Sequence, residues 1–200
     1  GSLYISDQSC EMVYKVDGES GIITELAGNG RCWTYQDQAP HRLGIALCEP
    51  LGITLDHKGN LYIADRGNSI IRKVNLRTSQ ATIEAGIHRI WGFSGDSGLA
   101  TEAELHEPEA VAVDSLGNLY IADSWNYRIR KVDYATGIIS TVLGGEGVPE
   151  EKKVGYVTTM LFDSAENLYY NKNYQAWRWN IAADTFVRIA GNGTNDFSGD

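Results

Sequence analysis

Short apolar runs of four to six residues, bounded by Gly, Asn and Asp, recur along the whole chain. Val, Ile, Leu and Tyr alternate or cluster within them, which is typical of β-strands. No segment carries a sustained 3.6-residue apolar period, and only the stretch from Gly98 to Leu105 could form one or two helical turns. The pattern therefore predicts an all-β protein made of many short strands.

The strand pattern repeats at a fixed spacing of 58 residues, because the phrase LYI(S/A)D begins at Leu3, Leu61 and Leu119. An apolar run and a turn precede this phrase in the later copies, a run such as IIRKV or RIRKV follows it, and a last apolar run ends in Gly. Each unit therefore contains four strands. Such units are typical of the blades of a β-propeller, whereas a β-solenoid, which shares the repeat signature, usually has shorter coils.

Two sets of Asp residues recur from unit to unit. One set lies in the turn before the repeated phrase and the other ends the phrase itself: Asp56, Asp114 and Asp163, and Asp7, Asp65 and Asp123. A residue repeated in every unit indicates architecture rather than a functional site, so we interpret both sets as acceptors of turn-stabilising hydrogen bonds. Gly59 and Gly117 supply the positive φ that the first turn requires.

The second and third units resemble the NHL repeat. Their runs are PLGITLDHKGNLYIADRGNSIIRKVN (50–75) and PEAVAVDSLGNLYIADSWNYRIRKVD (108–133), and GFSGDSGLATEAELHEP (92–108) resembles the linker between successive NHL blades. The fourth unit keeps the spacing but has Lys172 in place of Asp, and its second hairpin is two residues shorter. The resemblance covers essentially the whole chain and implies a β-propeller of four-stranded antiparallel blades.

The repeat spacing divides the chain into about three and a half blades. We place blade 1 at residues 3–28 without its innermost strand, blade 2 at about 50–86, blade 3 at about 108–145, blade 4 at about 157–191, and the start of the next linker at 192–200. NHL propellers usually have about six blades, so we expect an incomplete ring. Either the sequence belongs to a longer protein, or another chain supplies the remaining blades in trans.

The chain is acidic, with a formal net charge of −9. Some NHL propellers bind RNA through a basic face, but phosphates are bound by Lys and Arg, so this charge argues against a nucleic-acid partner. The recurring basic residues are expected at solvated outer strand positions: Arg72, Lys73, Arg128, Arg130 and Lys131. No apolar run is long enough for a transmembrane helix, and we predict no membrane insertion.

Cys32 and Cys48 lie 16 residues apart in the first inter-blade linker, and neither recurs in the second linker. A pair gained together within one loop favours a disulfide, which would stabilise the fold by about 3 kcal/mol, over two free thiols. Cys10 is left over. The disulfide, together with the glycosylation sequon at Asn192, favours an extracellular or cell-surface location.

The loops at one end of the blades carry residues that do not follow the repeat. The candidates for a binding surface are Trp33, Tyr35, Trp91, Phe93, Asp96, His106 and Trp125. Exposed aromatic residues are the usual anchors of protein or glycan binding. Trp177 and Trp179 alternate on one strand and are instead expected to pack between blades. The sequence therefore predicts a non-enzymatic interaction or structural module whose partner is a protein or a glycan.

Two other functions stay open. NHL-like peptide-amidating lyases hold zinc through three His from different blades, but the four His here occupy non-equivalent repeat positions: His41, His57, His88 and His106. The innermost strands are too apolar for a calcium site. We therefore predict no catalytic residue, metal or cofactor in this sequence, and a propeller lyase or hydrolase would need residues outside it. The second alternative is a subunit of a filament joined through open edge strands.

Overall fold

The structure, a computed structural model, describes residues 1–32 and 41–194 of the 200-residue chain. Its strands form four antiparallel sheets arranged around an arc, each sheet in simple meander order. The prediction of an all-β propeller built from four-stranded blades is confirmed, and the arc is open rather than closed. No helical segment within the described ranges is long and apolar enough to cross a membrane.

Three of the sheets have four strands and the first has three. Blade 1 contains β1 (Leu3–Asp7), β2 (Met12–Val16) and β3 (Ile23–Ala27); blade 2 contains β4 (Pro50–Leu55), β5 (Asn60–Asp65), β6 (Ile70–Asn75) and β7 (Ala81–Ala85). Blade 3 contains β8 (Pro108–Val113), β9 (Leu119–Asp123), β10 (Arg128–Val132) and β11 (Ile139–Gly144). Blade 4 contains β12 (Met160–Phe162), β13 (Asn167–Lys172), β14 (Gln175–Asn180) and β15 (Thr185–Ala190).

Apolar side chains fill the layers between successive blades. In β5, Leu61 and Ile63 face blade 1, whereas Tyr62 and Ala64 face blade 3. Strand β9 repeats this alternation toward blades 2 and 4. Because consecutive strand residues point to opposite faces, a strand that is apolar throughout can bury side chains in two layers at once. These layers hold each blade against the next and thereby position the loops at its ends.

Each blade ends its outer hairpin in the same way. A β-bulge recurs at one repeat position, for example between Ile71 and Arg72. A Gly follows the bulged pair in every blade, and at Gly86 the φ is +92° and an added Cβ would lie 2.5 Å from Ser69 O. The Gly that ends the last apolar run of each repeat is therefore required by a close approach of two backbones.

The Asp residues of the first turn act as the sequence predicted. Asp114 Oδ1 accepts the Asn118 backbone N–H at 2.8 Å, and its other oxygen accepts the Asn118 side-chain amide at 2.8 Å. Asp163 makes the equivalent bond to the Asn167 backbone at 2.9 Å. The hydrogen bonds lower the pKa of the Asp163 carboxyl. This turn is therefore a local structural device that each blade repeats.

Two of the recurring basic residues are buried, so the prediction of solvated outer positions is wrong for Arg72 and Arg130. They are 2% and 0% exposed. Arg72 Nε lies 2.6 Å from Asp65 Oδ2, and Arg130 Nη1 lies 3.5 Å from Asp123 Oδ2. The strand register places each Arg opposite the residue two positions before the Asp, on the same face. Asp and Arg therefore recur together because each is the counter-ion of the other.

The buried Asp residues also anchor the linkers. Asp65 Oδ1 accepts the Cys48 backbone N–H at 2.7 Å, and Asp123 Oδ1 accepts the His106 backbone N–H at 2.8 Å. Each carboxylate also accepts the amide of the Asn three residues later. The strand-ending Asp thus ties together a linker, a turn and an outer strand, and the prediction that it is a structural hydrogen-bond acceptor is confirmed.

Candidate binding surface

A group of aromatic side chains lies where the linker that enters blade 3 meets the β9–β10 turn. The backbone N–H of Trp125 donates to His106 O at 3.3 Å, and Asn126 Nδ2 donates to the Gly92 carbonyl at 2.7 Å. These bonds hold the linker against the turn. We call the resulting patch the aromatic surface and define it as Trp91, Phe93, His106, Trp125 and Tyr156.

The β9–β10 turn is built so that Trp125 points outward. Ser124, immediately before it, is buried, and its hydroxyl donates to the Val157 carbonyl at 2.7 Å. Tyr127 closes the turn in the left-handed conformation, with φ of 51°. Ser124 holds one end of the turn in the core, and Tyr127 reverses the chain direction at the other end. Trp125, which lies between them, is therefore 47% exposed.

Trp125 is nevertheless held in place by its neighbours. Its ring stacks on His106, with centroids 5.4 Å apart and planes inclined at 28°, and it meets the Tyr156 ring edge-on at 6.2 Å. Trp91, which is 50% exposed, extends the patch along the linker and forms a backbone bridge to Leu105. Large aromatic side chains held in one orientation lose little conformational entropy when a partner covers them.

Phe93 and Asp96 serve the fold as well as the surface. The Arg128 guanidinium lies 3.7 Å from the Phe93 ring centroid, a cation–π distance. Asp96 Oδ1 lies 2.8 Å from Arg130 Nη2 and shares the charge of this buried guanidinium with Asp123. Asp96 is one of the predicted site residues, and its charge is therefore already neutralised within the chain by Arg130.

An acidic group adjoins the aromatic surface, and the sequence reasoning missed it. Arg66 forms ion pairs with Glu49 at 2.5 Å, with Glu107, and through Nε with Glu109 at 3.4 Å. We call Glu49, Glu107 and Glu109 the acidic cradle. Three carboxylates around one guanidinium leave an excess of two negative charges. The sequence signal for the cradle was the Glu-Pro pair that recurs at Glu49 and Glu107. In the structure both Glu residues have a left-handed backbone, with φ of 51° and 46°.

The cradle is joined to the aromatic surface through Tyr156. Burial raises the pKa of the Glu109 carboxyl, which accepts a hydrogen bond from the Tyr156 hydroxyl. Burial and this same contact raise the pKa of Tyr156. Glu109 is buried, whereas the side chains of Glu49 and Glu107 are 43% and 25% exposed. Glu49 and Glu107 are therefore the carboxylates that an approaching molecule would meet.

The remaining predicted residues lie elsewhere. Trp33 and Tyr35 fall outside the residues that the structure describes. Cys32 and Cys48 form a disulfide with a Cα–Cα distance of 4.6 Å, which fixes the first linker beside the β5–β6 turn. Cys10 is an exposed free thiol. Asn192 is exposed, and its side-chain carbonyl accepts the Thr194 hydroxyl at 2.8 Å.

One group of side chains within the described ranges has the spacing of metal ligands. It is formed by Glu11, Cys32 and Cys48. Both sulfurs belong to the disulfide, and a metal ion is bound by the thiolate form of Cys. In its disulfide form this group therefore cannot bind a metal through sulfur.

Sequence comparison relates the chain to proteins with NHL repeats. The family model described as the Teneurin NHL domain matches residues 92–165. Human NHL repeat-containing protein 2 is 30% identical over 146 residues, which is 70% of this chain and 20% of that protein. Arabidopsis thaliana SUPPRESSOR OF QUENCHING 1, chloroplastic, is 29% identical over 149 residues, 71% of this chain and 14% of that protein. The chain thus spans a fifth or less of these relatives.

Structure comparison gives the same fold at lower identity. A protein of unknown function from Bacteroides thetaiotaomicron has a TM-score of 0.66 and 22% identity, covering 86% of this chain and 42% of that chain. A chain of a nidogen/laminin complex has a TM-score of 0.62 and 16% identity, covering 92% and 57%. Virginiamycin B lyase from Staphylococcus aureus has a TM-score of 0.58 and 11% identity, covering 94% and 52%. At these identities the likeness concerns the fold alone.

Proposed function

The chain belongs to the NHL-repeat β-propeller family, and from this premise we propose that it is a non-enzymatic module that binds a protein partner through the aromatic surface. The observation that carries the proposal is Trp125, half-exposed yet held between His106 and Tyr156. Buried aromatic anchors surrounded by weaker polar contacts dominate the energy of most protein interfaces. The blades would act as a rigid display for this anchor.

Charge selects the kind of partner. The acidic cradle has an excess of two negative charges beside the aromatic surface, and the chain as a whole has a net charge of −9. Lys and Arg side chains combine ion pairing to carboxylates with cation–π contact to Trp and Tyr. A basic protein segment is therefore favoured over a neutral or anionic glycan. The match to a Teneurin NHL domain also supports a protein partner.

The test is a peptide selection followed by variants of the surface. Peptides selected from a random displayed library against the wild-type chain should be rich in Arg and Lys, and their binding should weaken as salt rises. Trp125→Ala should weaken binding by about 30-fold or more, the effect of an interface anchor. Tyr134→Ala is the matched control, because Tyr134 is 50% exposed and contacts Lys58 and Asn118, away from the aromatic surface.

Two results would overturn the proposal. One is a set of selected peptides that bind wild type and Trp125→Ala equally. The other is a panel in which neutral oligosaccharides bind and basic peptides do not.

We place the protein outside the cell or on its surface. The Cys32–Cys48 disulfide supports this, because disulfides persist in oxidising compartments, and the exposed Asn192 offers a glycosylation sequon. Alkylation of the protein from its native source should label Cys10 alone before reduction and all three Cys after it. Labelling of all three without reduction would place the protein in a reducing compartment.

Self-association is a second candidate, favoured by the free face of blade 1. Leu3 and Ile23 are 60% and 58% exposed, whereas Leu119 and Ile139, at the same repeat positions, are buried between blades 2 and 3. A face with this composition fits another blade of the same kind. Light scattering that shows a monomer at high concentration would exclude association of this chain with itself.

A further inference from the structure

Blade 4 departs from the other blades at a buried position. Lys172 ends β13 where Asp65 and Asp123 end the equivalent strands of blades 2 and 3. Trp177, opposite the residue two positions before Lys172, takes the place that Arg72 and Arg130 have in those blades. Lys172 is 6% exposed. A site that belongs to one blade only is a better functional candidate than a residue that every blade repeats.

The Lys172 amine has few partners for a charged group. Its Nζ donates to the Lys153 carbonyl at 2.5 Å and lies 4.4 Å from the Trp177 ring centroid. Within the described residues no carboxylate lies within ion-pairing distance of it. An ammonium has three N–H donors, and its burial with one hydrogen bond is costly. Burial accordingly lowers the pKa of Lys172, and the charges of Glu150 and Glu151 offset this only in part.

An open cavity of about 520 Å³ leads to this amine. Val154 and Trp177 form its apolar wall, and Glu150 and Glu151 form an acidic rim in which Lys153 pairs with Glu150 at 2.7 Å. Lys172, Asn173 and Gln175 complete the lining. Cavities of some hundreds of cubic ångströms bind small organic molecules. The amine of Lys172, an aromatic ring, two carboxylates and the Lys153 ammonium therefore share one space.

We propose that Lys172 is a covalent capture site for a small uncharged aldehyde, held in the cavity against Trp177. The unprotonated amine attacks the carbonyl carbon, and a proton moves from nitrogen to oxygen to give a carbinolamine. Loss of the hydroxyl with one further proton from the nitrogen releases water and leaves a C=N bond. The product is an imine between Lys172 and the aldehyde carbon, and no oxidant or reductant is consumed.

The surroundings select against charged carbonyl compounds. A protonated imine is a cation, and the Trp177 ring and the acidic rim stabilise positive charge at this place. Lys153 balances the charge of Glu150, so the rim keeps the negative charge of Glu151, and a 2-oxo acid would bring its own carboxylate toward this charge, which repels it. The pocket thus fits an aldehyde with a small apolar body.

Reductive trapping tests the proposal. The folded chain is incubated with propionaldehyde and sodium cyanoborohydride, and the alkylated lysines are quantified by peptide mass mapping. Lys172 should be modified at least 10-fold faster than Lys58, an amine of another blade that lies outside the cavity. This preference should disappear when the chain is unfolded in urea. The anionic aldehyde glyoxylate should modify Lys172 more slowly than propionaldehyde does, relative to Lys58.

Modification of Lys172 no faster than Lys58 in the folded chain would overturn the proposal, and so would an equal preference for glyoxylate. Lys172→Arg keeps a hydrogen-bond donor and a charge but has no amine nucleophile, so this variant should lose the fast-reacting fraction while its circular dichroism stays unchanged. If that variant fails to fold, the comparison of folded with unfolded wild type decides the question alone.

Discussion

Blades 3 and 4 have the same strand order and the same β-bulge, yet they fill one buried position in opposite ways. In blade 3, Asp123 is paired with Arg130 and accepts the backbone N–H of the preceding linker. In blade 4, Lys172 donates to a linker carbonyl and lies over Trp177. One arrangement balances two opposite charges in the interior, and the other places one amine, whose pKa is lowered by burial, over an aromatic ring.

The turns beside these positions differ as well. Blade 3 connects β9 to β10 through a four-residue turn that exposes Trp125, whereas blade 4 connects β13 to β14 through Asn173 and Tyr174, both with positive φ. This turn is shorter than the one in blade 3, and although its Tyr174 is 64% exposed, the stacked rings around Trp125 belong to the turn of blade 3. The aromatic surface is therefore a property of blade 3, and the open cavity beside Lys172 is a property of blade 4. Blades of the same fold therefore provide the aromatic surface in one case and the cavity in the other.

The largest expected effect comes from breaking the charge pair of blade 3. Arg130→Met leaves Asp123 buried without its main counter-ion, which should lower the free energy of unfolding by about 3–5 kcal/mol. Trp177→Met, at the equivalent place in blade 4, leaves no buried carboxylate and should cost clearly less. Urea denaturation of the two variants measures the difference. Equal losses would show that the blades are not energetically distinct at this position.

A smaller effect should follow from converting blade 4 into the arrangement of blade 3. Lys172→Asp alone buries a carboxylate beside an indole, and Trp177→Arg alone buries a guanidinium beside an amine. Together they recreate the pair, so the double variant should be more stable than the sum of the single changes by about 1–3 kcal/mol. A double-mutant cycle by urea denaturation measures this coupling, and additive losses would argue against it.

The smallest effect is a pH dependence that blade 4 alone should show. Because burial lowers the pKa of Lys172 in the folded chain, the unfolded chain binds more protons between the folded pKa and the ordinary value for lysine. The stability of wild type relative to Lys172→Met should therefore increase as the pH rises through this window, and be constant below it. Urea midpoints of both proteins at pH 7 and 9.5 test this, and a relative loss of stability at pH 9.5 would contradict the sign.

Much of the fold could be predicted from the chain alone. The spacing of Leu3, Leu61 and Leu119, the alternating apolar runs and the Asp-containing turns are local patterns, and local patterns determine strands and hairpins. The pairing of Cys32 with Cys48 could also be anticipated, since both lie in one linker. The blade boundaries and the role of the aromatic residues in binding remain predictions and proposals.

The burial of Arg72 and Arg130 was not predicted, because a basic residue on a strand is usually solvated and its counter-ion lies on another strand. The acidic cradle was missed for the same reason. Arg66, Glu49 and Glu107 come from three separate loops, and only the stacking of blades brings them within ion-pairing distance.

The repeat of apolar residues was enough to set the number and type of strands and the propeller fold, because strand formation and turn chemistry depend on residues close together in the sequence. Which charges are buried, which carboxylates converge beside Trp125, and what surrounds Lys172 were decided only by the packing of one blade on the next. The energy of a charged group depends on the partners and the water around it, and here both come from segments far apart along the chain.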